Sequence, residues 1–251
     1  MSSMVSILCY HQVAPVLPAG FERYSVTIQQ FVAQLRWLKL AGYRTISFDQ
    51  LLAARTGQRI PQRSVIITFD DGLQDCVEYA APLLAQQAMS ATFFLVAGLM
   101  GADSRWLLAE GVPSMPITNW EHARELLRAG MSCGAHGFSH SRLAALEPAQ
   151  CQQELVDSKK FLETELGSPI KHLAYPFGSW NAMVRTQVAA AGFATACTTE
   201  KGRVSLADDF LSLHRIPVYS FETLADFALR IQTGYSLREL VQRWLHRAKK
   251  R

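Results

Sequence analysis

Two acidic residues side by side, Asp70 and Asp71, follow directly on the apolar run Val65-Ile66-Ile67-Thr68-Phe69 and precede Gly72. Adjacent carboxylates at the mouth of an apolar strand repel each other and lose hydration, so both stay ionised only beside a cation or strong donors. Read alone, the segment is also a plain Asx-type turn, with Asp71 capping the helix that follows. A second motif, His136-Gly137-Phe138-Ser139-His140, begins where Met131–Ala135 ends. Histidines at i and i+4 share a face if the chain turns helically, within reach of one ion. Two imidazoles plus one carboxylate leave positions open for water and substrate, the ligand set of a catalytic metal site that accepts several first-row divalent ions. A third segment holds Tyr175-Pro176-Phe177-Gly178. A turn of that kind is either structural or a way to present a backbone N–H to a developing oxyanion. His11 falls at the end of the first apolar run and His214 at the start of the last, so His11 ranks first as a catalytic acid.

These groups need a frame. Short β-branched or aromatic runs alternate with segments of helical period, the signature of an α/β protein. Strands are expected at Val5–Tyr10, Tyr43–Ile46, Val65–Phe69, Thr92–Val96, Met131–Ala135, His172–Tyr175, Phe193–Cys197 and Arg215–Val218. Capping boxes are read at Thr27–Gln30, Thr118–Glu121 and Ser236–Glu239, with Gly42 and Gly130 as helix stops. No linker or repeat interrupts the alternation. Right-handed crossovers then give a single-domain, distorted (β/α) barrel of seven or eight strands over residues 1–235, with the chemistry at the strands' C-terminal ends. Residues 236–251 form a separate basic amphipathic helix.

Composition narrows the function further. The 251 residues are 49% hydrophobic and 18% charged, which excludes disorder and low complexity. Five scattered cysteines, without a CxxC, suit a reducing compartment and buried apolar roles. No stretch is long and apolar enough to span a bilayer, and the first residues carry no basic leader, so a cytoplasmic location is expected. The net charge of +4 is uneven: Ser236–Arg251 carries +5, leaving the body at −1. No nucleic-acid partner is therefore expected. In the last helix Leu237, Leu240, Val241, Trp244, Leu245 and Ala248 form one stripe, which either docks on the barrel or lies on an anionic membrane at its inner face.

Taken together, Thr68-Phe69-Asp70-Asp71-Gly72, His136 to His140 and Ala174-Tyr175-Pro176-Phe177-Gly178 resemble the three motifs of the polysaccharide deacetylases of the NodB-homology type, carbohydrate esterase family 4. The early Tyr10-His11 resembles the branch acting on poly-N-acetylglucosamine-like exopolysaccharides. The resemblance implies a divalent ion, zinc first among the candidates, held by Asp71, His136 and His140. It implies Asp70 as the base that deprotonates the water polarised by that ion. The Phe177 N–H would stabilise the oxyanion and His11 would protonate the departing amine, so that an N-acetylated amino sugar in a polysaccharide or lipid-linked glycan loses acetate. Gly137 and Ser141 depart from the family's usual Ser or Thr and Pro. Ala174 stands where an Arg commonly orients the base, and Arg215 is the candidate replacement. The other readings are a non-catalytic glycan-binding barrel and a deformylase or other acyl amidohydrolase on a sugar.

Overall fold

The computed structural model describes residues 4–248, and of 243–248 the backbone only. Lys249, Lys250 and Arg251 of the basic tail lie outside the described residues, as do the side chains of Trp244 and Leu245 from the apolar stripe. The first half of the chain runs through β1 (Ser6–Tyr10), β2 (Gln12–Ala14), β3 (Ser25–Thr27), α1 (Ile28–Leu40), β4 (Arg44–Thr45), α2 (Phe48–Arg55), β5 (Ser64–Phe69), α3 (Ala81–Gln86) and β6 (Thr92–Leu95). The second runs through α4 (Trp106–Ala109), α5 (Trp120–Arg128), β7 (Ser132–Ala135), α6 (Pro148–Leu166), β8 (His172–Ala174), α7 (Ala182–Ala190), β9 (Thr195–Lys201), β10 (Leu213–Pro217), α8 (Leu224–Thr233) and α9 (Leu237–Ala248). All eight expected strands are present.

Seven parallel strands form a closed ring in the order β1-β10-β9-β8-β7-β6-β5, sealed by β1 against β5 from Ser6↔Val65 to Tyr10↔Phe69. The eighth, β4, pairs with the start of β5 and stays outside the ring. The small β2–β3 sheet was not read from the sequence, because two three-residue strands carry too little periodicity to register.

Strand alternation decides which residues look inward. On β5, Val65, Ile67 and Phe69 pack outward under the helices, while Ile66 joins Ile7, Phe94, Ala174, Cys197 and Leu213 in a second cluster inside the ring. Gly134 faces the Phe94 ring so closely that a Cβ would lie 2.6 Å from it, so β7 tolerates only glycine there. Continuing the alternation of β5 past Ile66 puts Thr68 and then Asp70 on the inner side, at the mouth of the barrel.

Local signals set the helix starts. Thr27 and Gln30 make the expected capping box on α1, and Ser236 and Glu239 make another ahead of α9. For α5 the cap is Asn119, whose side chain accepts from the His122 N–H, and not Thr118. Thr118 instead lies buried and passes its carbonyl to Gly101 N–H, so the helix starts one residue later. All five cysteines are buried and free. Among the described residues no helix is long and apolar enough to cross a membrane.

Candidate active site

Asp71, His136 and His140 meet at the barrel mouth, all buried, their ligand atoms within 4.8 Å of one another. Asp71 Oδ1 lies 3.4 Å from His136 Nε2 and 3.2 Å from His140 Nε2. His136 Nδ1 is 2.8 Å from the Ala174 carbonyl, so as an N–H donor it leaves Nε2 with a free lone pair. The His140 contact is close but not aligned as a hydrogen bond, and neither ring nitrogen of His140 has a hydrogen-bond partner. Two lone pairs and a carboxylate converging in a buried site, one imidazole oriented from behind and the other unsatisfied, fit a divalent cation.

The imidazoles do not converge through a helical turn, as the i, i+4 spacing suggested. Residues 136–140 form an irregular loop with Gly137 at φ +75° and His140 at φ +63°. Glycine at 137 therefore suits the left-handed backbone of this loop. Glu154, on α6, accepts from the Phe138 and Ser139 N–H groups at 3.0 Å each and from the Ser139 hydroxyl at 2.6 Å. The sequence reading missed this tether, because a Glu on a long polar helix carries no local signal of what it holds.

Asp70 turns the other way from Asp71. Its two oxygens accept from Arg215 Nη1 and Nη2 at 2.6 Å each, with both residues buried. Arg215 also donates to Thr198 O and Thr68 Oγ1, which fixes the guanidinium inside the ring. A register shift between Leu213 and Arg215 marks a bulge on β10, the kind of irregularity that re-aims a side chain. Arg215 thus stands where Ala174 leaves the expected arginine missing, since Ala174 is buried inside the ring.

Both carboxylates are held low. Burial alone would raise Asp70, but the Arg215 charge and hydrogen bonds, with His136, hold it below the usual carboxylate range. Burial likewise opposes ionisation of Asp71, yet the two imidazoles and His11 drive it well below that range. For His136 burial is outweighed by Asp71 and Asp70, and its value rises; for His140 burial and the neighbouring His136 prevail, and its value falls.

His11 reaches the same mouth: a ring nitrogen, Cys9 Sγ and a carboxylate oxygen of Asp70 lie within 4.8 Å of one another. Cys9 Sγ is 3.6 Å from Asp70 Oδ2. His11 packs against Tyr24, and its Nδ1 has no hydrogen-bond partner. His214 is elsewhere, 3.2 Å from Glu200.

Phe177 has φ +55° and ψ +11°, and its ring lies edge-on to His140 with centroids 4.5 Å apart. Asp71, His140 and Phe177 are three of the four non-glycine residues with positive φ among those described. Strain of this sort collects where side chains must be aimed. Trp106, the first residue of α4, stacks on His140 with centroids 4.0 Å apart, and Arg142 sits over the Phe177 ring. Nothing local in the sequence signals this stacking role of Trp106.

The chain belongs to the polysaccharide deacetylase family, whose sequence profile matches residues 57–196. That span contains Asp70, Asp71, His136, His140 and Phe177, but neither His11 nor Arg215. The Bacillus subtilis (strain 168) protein YxkH is 29% identical over 213 residues, covering 84% of this chain and 70% of its own. A poly-beta-1,6-N-acetyl-D-glucosamine N-deacetylase of Staphylococcus aureus (strain N315) is 27% identical over 169 residues, 64% of this chain, and the match spans only 56% of its length. Among solved structures, the Streptococcus pyogenes deacetylase PplD in complex with acetate superposes with a TM-score of 0.81 at 26% identity, covering 92% of this chain and 99% of that one. IcaB from Ammonifex degensii, at 22% identity, shares the fold with a TM-score of 0.76 over 92% of this chain and 98% of its own.

Proposed function

We propose that the protein is a metal-dependent N-deacetylase that removes acetyl groups from N-acetylglucosamine units of a glycan and releases acetate. The observation that carries this reading is the meeting of Asp71, His136 and His140 around one point, with Asp70 clamped beside them by Arg215. The S. aureus relative is named for a substrate of this class.

A divalent ion held by Asp71, His136 and His140, zinc first among the candidates, would acidify a water toward a pKa of about 7 and polarise the acyl carbonyl. Asp70 receives the proton of the attacking water. Its pairing with Arg215 keeps the carboxylate ionised and pointed, so that it is ready as a base at neutral pH. The carbonyl oxygen gains charge as the acyl carbon becomes tetrahedral, and the Phe177 N–H donates to it. His11, at the end of β1 between the strands of Arg215 and Asp70, gives a proton to the sugar nitrogen as the C–N bond breaks. Acetate and a glucosamine-type amine leave.

Residues 1–235 would carry this catalysis and 236–251 would serve attachment. Leu237 and Val241 are 62% and 48% exposed, so this part of the apolar stripe is not covered by the barrel, which supports contact with an anionic membrane. Five buried thiols without a disulfide suit the cytoplasm. Flotation with anionic vesicles, comparing the full chain with one ending at Tyr235, tests the attachment: equal binding would remove it. The activity itself is tested by metal analysis of the purified protein together with acetate release from poly-β-1,6-N-acetylglucosamine. Stoichiometric metal with release supports the reading; a metal-free, inactive protein that still binds the polymer would make it a glycan-binding barrel.

A further inference from the structure

The rim between the exits of β1 and β10 carries aromatic faces that the proposed chemistry does not use. From His11 outward, ring centroids step 5.2 Å to Tyr24, 6.2 Å to Tyr219 and 5.2 Å to Phe221, the last pair stacked with planes 12° apart. Tyr219 is buried at 7%, whereas Tyr24 and Phe221 are 39% and 65% exposed. Arg23 holds its guanidinium 4.9 Å from the Tyr219 centroid and 5.8 Å from that of Tyr24. The two loops are tied together, since Ser220 N–H donates to the Arg23 carbonyl at 3.4 Å and Gln30 Nε2 donates to the Ser220 carbonyl at 2.7 Å.

The exposed rings are thus mounted on fixed backbone and backed by a buried ring. Nothing in the fold is gained by leaving the outer face of Phe221 in water, and contiguous apolar exposure beside a site marks a contact surface. A pyranose offers an apolar C–H face and a rim of hydroxyls. Aromatic faces suit the first and a guanidinium the second. The chain of ring contacts starts at His11, the residue assigned to the leaving nitrogen, and its exposed members are Tyr24 and Phe221.

We propose that Tyr24 and Phe221, backed by Tyr219 and flanked by Arg23, seat the sugar ring next to the one that loses its acyl group. This rests on the deacetylase reading above and sharpens it: the substrate is a chain, and a free monosaccharide uses only part of the site.

The test compares acetate release from a β-1,6-linked N-acetylglucosamine hexamer and from N-acetylglucosamine, using the metal-loaded full chain and its Phe221→Ala and Phe221→Trp variants. Calorimetric binding of the hexamer to each protein is the second readout. Phe221→Ala is expected to lower the hexamer-to-monomer ratio of kcat/KM about tenfold, equivalent to about 1.4 kcal/mol. The loss falls in KM, hexamer binding weakens to match, and Phe221→Trp restores both. A ratio and a hexamer affinity unchanged by Phe221→Ala overturn the subsite. If the parent protein releases no acetate from either sugar, the deacetylase reading fails by itself. The subsite is then decided by binding alone: hexamer affinity lost in Phe221→Ala and regained in Phe221→Trp supports it, and absent or unaltered binding overturns it.

Discussion

Two charge networks in this chain, each with a buried arginine, are finished differently. Beneath α9, Arg230 lies 2.5 Å from Glu222 and 3.4 Å from Glu239, and Lys201 reaches Glu239 at 2.6 Å. Two cations meet two carboxylates, so every charge has an opposite charge beside it, although Arg230 and Glu222 are not aligned as a hydrogen bond. At the barrel mouth Asp70 and Arg215 also pair, but Asp71 faces two imidazoles, one of which has no hydrogen-bond partner at either nitrogen. A network that holds helices together pairs cation with carboxylate, whereas the site leaves a carboxylate and imidazole nitrogens converging on a point that a cation can fill. That difference, more than burial, separates the two regions, since Arg230 and Asp71 are equally buried at 5% exposed.

The contrast is broken most strongly at the open network. His136→Ala is expected to lose bound metal and to reduce kcat about 10³-fold or more, because several kcal/mol of transition-state stabilisation go with the ion; metal content and acetate release measure both. Folding should survive, as no closed pair is opened.

Removing the closed partner next door should act on stability instead. Arg215→Met leaves Asp70 buried and unpaired, at a cost of about 3–5 kcal/mol read by urea denaturation. Asp70 is held low in the folded state, so the pair stabilises above the unfolded carboxylate value of about 3.9 and fades as pH falls through the lower folded value. The variant should lose this dependence. Its Asp70 should titrate higher, moving the acid limb of kcat/KM upward in pH.

A smaller effect is expected at the tether behind the HxxxH loop. Glu154→Ala releases the Phe138 and Ser139 N–H groups, and metal affinity should fall about 10–100-fold, as for other groups that support ligands from behind. Competition with a chelator reads this, and an unchanged affinity would mean that the loop holds its own shape.

The smallest change belongs to the α9 network. Burial opposes ionisation of Glu239, but Lys201 and the Ser236 cap lower it to about 2. Its contribution is present above the unfolded value of about 4.3 and is lost as pH falls toward about 2. The carboxylate is partly exposed, so screening keeps the loss in Glu239→Gln to about 1 kcal/mol or less. Thermal melts of the two proteins should differ at neutral pH and converge in acid.

Much of this was legible beforehand. The strands showed because most are β-branched or aromatic runs between turn signals, and the ligands showed because their spacing is local: Asp70-Asp71 are adjacent and His136 and His140 are four apart. What could not be read was orientation. Adjacent aspartates differ by one step of the chain, yet only closure of the ring turns Asp70 toward Arg215 and Asp71 toward the histidines. Arg215, 145 residues from its partner, was a candidate by need and not by pattern. Glu154 and Trp106 had no pattern at all, since their roles depend on which helix and which loop lie over the mouth.

The sequence by itself determined the alternation of strands and helices, the helix starts at Thr27 and Ser236, and the donor types a cation would need, because propensity, capping and ligand chemistry act over a few residues. Tertiary structure alone decided that seven strands close while β4 stays outside, that the histidine loop turns through left-handed backbone, and that one aspartate is clamped while its neighbour is left open. Those outcomes depend on contacts between segments far apart in the chain, and their energies are set by burial and by the charges that folding brings within reach.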